Sequence, residues 1–195
     1  MSDTSVFLWI NGLAGHVRVI DEFFKGISND YFALIIGMLV MIWLWFATRG
    51  GAARDRNQRT VMIAMISIGM AATAMALINL DSAWFRVRPF NALPDQVNLI
   101  FYPPTDSSFP SNYAAIIFAI ALPVLIRNRK YGWWLLTLAI IGSFGRIYMG
   151  VHYPLDVLAG IGVGLLGCGV AFFLGWVLKP LMDLLLKIFR TLYIA

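Results

Sequence analysis

One cysteine, two histidines and ten acidic residues are spread over 195 positions, and that scarcity removes whole classes of chemistry. The single thiol, Cys168, lies inside an apolar run, so it forms neither a disulfide framework nor a metal–thiolate cluster. Carboxylates gather nowhere in the pattern that a magnesium or calcium site needs, and no metal or other cofactor is expected. Charged residues make up only 13% of the chain, about half of what an ordinary soluble domain carries. Internal repeats, low-complexity tracts and linkers are missing as well, so residues 1–195 read as a single domain. Because Asp3 stands where a basic leader would begin, a cleaved signal peptide is not expected.

What the chain has in abundance is apolar surface: 60% hydrophobic residues and a mean hydropathy of +0.77 mark an integral membrane protein. A spanning helix takes about 20 mostly apolar residues, and five segments approach this, at 31–48, 61–80, 111–126, 133–148 and 155–178. The segment 6–27 is apolar but interrupted by His16, Arg18, Asp21, Glu22 and Lys25, which predicts an amphipathic helix lying in the interface. Residues 181–195, with Asp183, Lys187 and Arg190, read as a second interfacial or protruding helix. The fold class is therefore all-α: a polytopic membrane bundle of five to six transmembrane helices with an N-terminal interfacial helix. The glycines at 160, 162, 164, 167 and 169 suggest close helix packing within it.

The net charge of +5 does not point to nucleic acid, since the basic residues sit at the ends of apolar runs rather than in a patch with interleaved aromatics. They report topology instead. Arg49, Arg54, Arg56 and Arg59 follow the first span, Arg127, Arg129 and Lys130 follow the third, and Lys179, Lys187 and Arg190 lie in the tail. These ten of fifteen basic residues share one side by parity, which the positive-inside rule makes cytoplasmic. Arg18, Lys25, Arg86, Arg88 and Arg146 fall on the other side.

That outer side carries the residues with chemistry. Residues 145–156 place Arg146, His152 and Asp156 in a short break between two apolar runs, and ionisable groups at such a boundary point to function. If a helix begins near Pro154, the Asp156 carboxylate can turn back to His152 and fix its tautomer, freeing the other ring nitrogen for attack. Arg146 offers a planar fork suited to phosphate oxygens. The long connection 81–110 holds Arg86 and Arg88 and runs into Pro110-Ser111-Asn112-Tyr113, a helix start whose first-turn amides can take an anion. The same turn serves equally as a plain cap, and Arg86 and Arg88 taken alone read as snorkelling side chains.

Together the three stretches, spread over residues 80–164, resemble the type 2 phosphatidic acid phosphatase superfamily. Its first motif ends in Arg-Pro, matched by Arg88-Pro89; its second is Pro-Ser-Gly-His or a variant, matched at Pro110 and Ser111; its third spaces Arg, His and Asp as Arg146, His152 and Asp156 are spaced here. The resemblance implies metal-independent phosphoester hydrolysis. His152 is then the nucleophile that becomes a phosphohistidine, Asp156 its orienting partner, and Arg88, Arg146, Ser111 and Asn112, with Arg86 nearby, the groups that hold phosphoryl oxygens. Phosphoryl transfer asks chiefly for alignment and charge stabilisation, which fixed guanidinium groups supply.

Three positions depart from the pattern: Asp81 stands in place of its Lys, Gly145 in place of the Ser before Arg146, and Tyr113 in place of the second-motif His that protonates the leaving oxygen. A phenol is a weaker acid than imidazolium, so Tyr113 in that catalytic role favours a leaving group that needs little protonation. Phosphate leaving from a diphosphate meets that condition better than an alkoxide leaving from a monoester. The expected activity is extracytoplasmic removal of the terminal phosphate of a polyprenyl diphosphate, such as undecaprenyl diphosphate, at a bacterial inner membrane. The expected partners are this lipid phosphate and the surrounding membrane lipids. Remaining alternatives are a phosphatase for a phospholipid monoester such as phosphatidylglycerophosphate or phosphatidic acid, a lipid-phosphate binding or transport protein with reduced catalysis, and a phosphotransferase.

Overall fold

The computed structural model describes residues 2–47 and 50–192. Nine α-helices follow one another among these residues, with no strand. α1 is Asp3–Asn11, α2 Arg18–Ile27, α3 Phe32–Phe46, α4 Gly51–Leu80, α5 Pro89–Ala92, α6 Asn112–Arg127, α7 Arg129–Tyr148, α8 Pro154–Val177 and α9 Lys179–Thr191. The five apolar segments fall on α3, α4, α6, α7 and α8. α4 and α8 are each long and apolar enough to cross a bilayer, with mean hydropathy 2.3, and α2 with α3 qualifies as a pair bent by 50°. Leu39, Ile42 and Trp43 on α3 and Leu158, Leu165, Leu166 and Phe173 on α8 point outward, as lipid-facing side chains do.

α6 is the axis of the bundle. Ten of its sixteen residues are buried, because α4, α7 and α8 all pack on it, and a helix apolar on every face belongs in an interior. Its partner α8 approaches through glycines: a Cβ at Gly160 would stand 2.4 Å from the Ser111 carbonyl oxygen, and one at Gly164 2.8 Å from that of Ala115. Gly167 meets α4 in the same way, whereas Gly162 and Gly169 have nothing within 4 Å and play no part in the expected packing.

Several boundaries differ from the sequence reading. The segment 6–27 is two helices rather than one: α1 stops at Asn11, and the chain turns through 12–17, where Gly15 adopts φ +86, before α2 begins. α1 packs one face on the bundle. Phe7, Ile10 and Asn11 are buried, and Asn11 docks by donating to the carbonyls of Tyr148 at 2.8 Å and Asn98 at 3.0 Å. His16 only touches the Gly12 carbonyl in the turn that follows. The basic stretch after α3 is already the start of α4, ten residues earlier than apolarity alone indicates. Polar pairs fix it there: Arg190 of α9 binds Asp55 and Gln58, and Arg59 binds Asp183. Arg49 lies outside the described residues, as does the end of the tail from 193. Between α6 and α7 a single residue, Asn128, makes the turn.

Candidate active site

The loop between α7 and α8 and the long connection before α6 meet at one end of the bundle. Pro154 opens α8 at its first turn, where its missing N–H costs nothing. Asp156 comes two residues later and accepts from the backbone N–H of Tyr153 at 2.9 Å, capping its own helix. That carboxylate is fully buried and saturated. It also accepts from the Ser108 hydroxyl at 2.5 Å and from Arg86 Nη1 at 2.6 Å.

His152 lies beside it with a different orienting partner from the one expected. Its Nδ1 is 3.9 Å from Asp156 Oδ2, too far for a hydrogen bond, but 2.8 Å from the Ser108 carbonyl oxygen. A carbonyl only accepts, so Nδ1 carries the proton and Nε2 the lone pair. Arg88 Nη1, 3.3 Å from Nε2, faces that lone pair. Asp156 therefore acts on the imidazole through Ser108, whose hydroxyl it holds and whose carbonyl holds the ring. Burial, with Arg146 and Arg88 close by, pushes the imidazole pKa well below its ordinary 6.5 and keeps the ring neutral.

Arg88, Arg146, His152, Asn112 and Tyr113 line one cavity of about 290 Å³, together with Asp30, Tyr102, Pro104 and Asp106 and an apolar wall of Leu34, Ile116 and Ile117. Arg88, at the start of α5, donates to the carbonyls of Val151 and Asp106 and to Asp106 Oδ1, the last at 2.8 Å. Its removal from water lowers its pKa, which Asp106 partly offsets. Arg146 donates to the Ser28 carbonyl at 3.1 Å, pairs with Asp30 at 2.9 Å and lies over the rings of Phe101 and Tyr113. Its Nε is buried and has no partner among the described residues.

Two of the expected anion ligands are used elsewhere. Arg86 is absent from the cavity wall; it bridges Asp156 and Asp3, each at 2.6 Å, with its guanidinium 3.9 Å above the Tyr153 ring. Ser111 is fully buried as the cap of α6, its Oγ 3.5 Å from the Ala114 amide. Asn112 remains exposed at the cavity edge.

The three departures from the family pattern also find their places. Asp81 ends α4 by accepting from the Ala83 amide, away from the cavity. Tyr113 lines the cavity with its ring, but its hydroxyl donates to the Ile27 carbonyl at 3.0 Å, so the proton expected for a leaving group is held by backbone. Gly145 and Gly142 make room for this arrangement. A Cβ at Gly142 would meet the Tyr113 hydroxyl at 2.0 Å, and one at Gly145 would meet Ser28 Oγ at 2.0 Å. Tyr113 and Gly145 thus seat the break between α2 and α3, which brings Asp30 to Arg146.

Sequence reasoning missed Ser108, Asp30, Tyr102 and Asp106. Ser108 was adjacent to a recognised motif. The other three are polar residues in connections, with no spacing to tie them to the site.

A model of the PAP2 superfamily matches residues 60–179. The undecaprenyl-diphosphatase BcrC of Bacillus subtilis is 29% identical over 96% of this chain and 91% of its own length. The bacitracin transport permease protein BcrC of Bacillus licheniformis is 33% identical over 87% of this chain and 77% of its own. Among solved structures, Aquifex aeolicus LpxE shares the bundle with a TM-score of 0.70 at 25% identity, covering 87% of this chain and 93% of that one. The matched segment contains Arg88, Arg146, His152 and Asp156, and with it more than half of the sequence; the chain belongs to the PAP2 superfamily.

Proposed function

We propose that the protein removes the terminal phosphate of a long-chain polyprenyl diphosphate, with undecaprenyl diphosphate as the representative substrate. One observation carries this reading: a neutral imidazole, its Nδ1–H fixed by the Ser108 carbonyl, stands beside two buried guanidinium groups in a cavity whose other wall is apolar. His152 Nε2 attacks the terminal phosphorus, the bond to the bridging oxygen breaks, and the lipid monophosphate departs with that electron pair. Arg88 and Arg146 hold the equatorial oxygens while charge redistributes. Water then attacks the phosphohistidine, the P–N bond breaks, and inorganic phosphate leaves with the imidazole restored. Tyr113, occupied by Ile27, gives no proton to the first step, and a phosphate leaving group with a pKa of about 6 needs none.

In the membrane α3, α4, α6, α7 and α8 make five crossings. The basic start of α4, the α6–α7 turn and α9 lie at the cytoplasmic face, and the cavity opens at the extracytoplasmic face of the bacterial inner membrane. Leu34, Ile116 and Ile117 lead from the phosphate cradle toward the hydrocarbon and accept the first isoprene units. Phosphate release from undecaprenyl diphosphate and phosphatidylglycerophosphate, each with and without EDTA, tests this. Preference for the diphosphate with no loss to EDTA supports it; preference for the monoester, or loss of activity with EDTA, overturns it.

A further inference from the structure

Two guanidinium groups at a membrane surface attract every phosphate-bearing head group, and phosphodiester lipids carry the same recognition element as the substrate. The cavity contains a device that bears on this problem. Arg88 and Arg146 each have a carboxylate partner on the same wall: Asp106 Oδ1 at 2.8 Å and Asp30 Oδ1 at 2.9 Å. The guanidinium side chains are only 3% and 4% exposed, whereas Asp106 is 65% and Asp30 33% exposed. A buried charge without a partner is strongly destabilising, while an exposed carboxylate rehydrates at little cost. The carboxylates are therefore the half of each pair that gives way, and an incoming anion must compete with them.

Charge decides that competition. A phosphodiester carries one negative charge, as a carboxylate does, and exchange gains it no electrostatic advantage. A terminal phosphate carries about 1.5 to 2 charges at neutral pH and wins the exchange. Asp30 is also a placed residue rather than a chance neighbour. Its second oxygen accepts from the Tyr102 hydroxyl, and the break that carries it is held by the Tyr113 bond to Ile27 and the Arg146 bond to Ser28.

Resting on the phosphatase reading above, we infer that Asp30 and Asp106 are specificity-determining residues: as resting counter-ions of Arg146 and Arg88, they keep singly charged phosphodiester head groups out of the cradle and yield to terminal phosphates. Equilibrium binding tests this in the His152→Ala protein, where no turnover intervenes. The probes are short-chain phosphatidic acid and short-chain phosphatidylglycerol of the same acyl length, below their micellar concentrations. The parent should prefer the phosphatidic acid. In Asp30→Asn, Asp106→Asn and the double variant, affinity for phosphatidylglycerol should rise at least about tenfold, the shift expected when one like charge leaves an ion's immediate neighbourhood, so that the diester occupies a cradle from which the parent excludes it. Asp106→Asn changes an exposed side chain, so it reports even if Asp30→Asn unsettles the α2–α3 break; the thermal midpoint identifies that case. An unchanged affinity for phosphatidylglycerol in Asp106→Asn would overturn the selectivity role alone and leave the phosphatase reading intact. Failure of every variant to bind either lipid, with undecaprenyl diphosphate bound no better, would overturn the phosphatase reading together with it.

Discussion

The His152 side and the Asp30 side of the cavity face the same space but are built by different means. Arg146, His152 and Asp156 come from one stretch of eleven residues, held by a helix cap and a loop. Asp30 comes from the far N-terminal part of the chain, outside the family match, and is placed by Tyr113, Arg146 and Tyr102 from three distant segments. The first side holds the residues whose spacing matches the superfamily pattern. The second shows how this chain surrounds those residues, and its construction accounts for two positions at which the sequence leaves the pattern.

The largest effect should come from the first side. His152→Ala is expected to reduce phosphate release by several orders of magnitude, as nucleophile loss does elsewhere, with the thermal midpoint nearly unchanged. A loss of less than about tenfold would remove the nucleophile assignment. Asp156→Asn comes next, because an amide cannot accept from the Ser108 hydroxyl, the Tyr153 amide and Arg86 together. A fall in kcat of about 10- to 100-fold is expected for such a supporting partner. Ser108→Ala should cost less than Asp156→Asn, since the carbonyl that holds Nδ1 survives the change; the reverse order in kcat would show that the hydroxyl itself matters more than the carboxylate.

The sequence displayed these two sides unequally. The ordered motifs made Arg88, Arg146, His152 and Asp156 visible, since spacing in one short loop survives folding as proximity. Helix existence was equally legible from apolar runs. The start of α4 was not, because the polar stretch that opens it is held by pairs of Asp55, Gln58 and Arg59 with α9 that only the fold creates. Asp156 was expected to hold His152 directly, but position three of α8 commits one of its oxygens to the helix cap, and the neighbouring Ser108 carbonyl takes the imidazole. Arg86 looked like an anion ligand until Asp3, 83 residues away in sequence, claimed it.

On the second side, Gly145→Ser restores the family residue yet should reduce function, because the new Cβ would stand 2.0 Å from Ser28 Oγ and 2.8 Å from Phe24 Cδ1. A stability loss of about 1 to 3 kcal/mol is expected from such overpacking, with partial recovery in the Gly145→Ser, Ser28→Gly double variant. Full activity in the single variant would mean that the α2–α3 break does not need its present seat. Tyr113→Phe should do less still. It removes one hydrogen bond to Ile27, worth about 1 kcal/mol, and kcat on the diphosphate should remain within a few-fold of the parent. A large kcat loss would return Tyr113 to the role of acid.

The smallest change should appear with pH. Because burial holds the His152 pKa well below 6.5, the nucleophile stays neutral as pH falls through that value, and the acid limb of kcat/KM due to it should lie lower. Stability behaves differently. Below 6.5 the unfolded chain takes up a proton at His152 that the folded chain refuses, so the stability linked to this group is present above 6.5 and is lost progressively as the pH drops toward the folded-state pKa. A kcat/KM profile that halves near 6.5 and tracks His152 would place the imidazole in water rather than in the bundle.

The central assignment is the covalent step on His152, and trapping reads it directly. Undecaprenyl diphosphate radiolabelled in its terminal phosphate is mixed with the protein and quenched in alkali, which preserves phosphohistidine. Label on the peptide containing His152 in the parent, and none in His152→Ala, is the expected result. Label retained in His152→Ala, or turnover in the parent without any labelled protein at the earliest quench times, would contradict it.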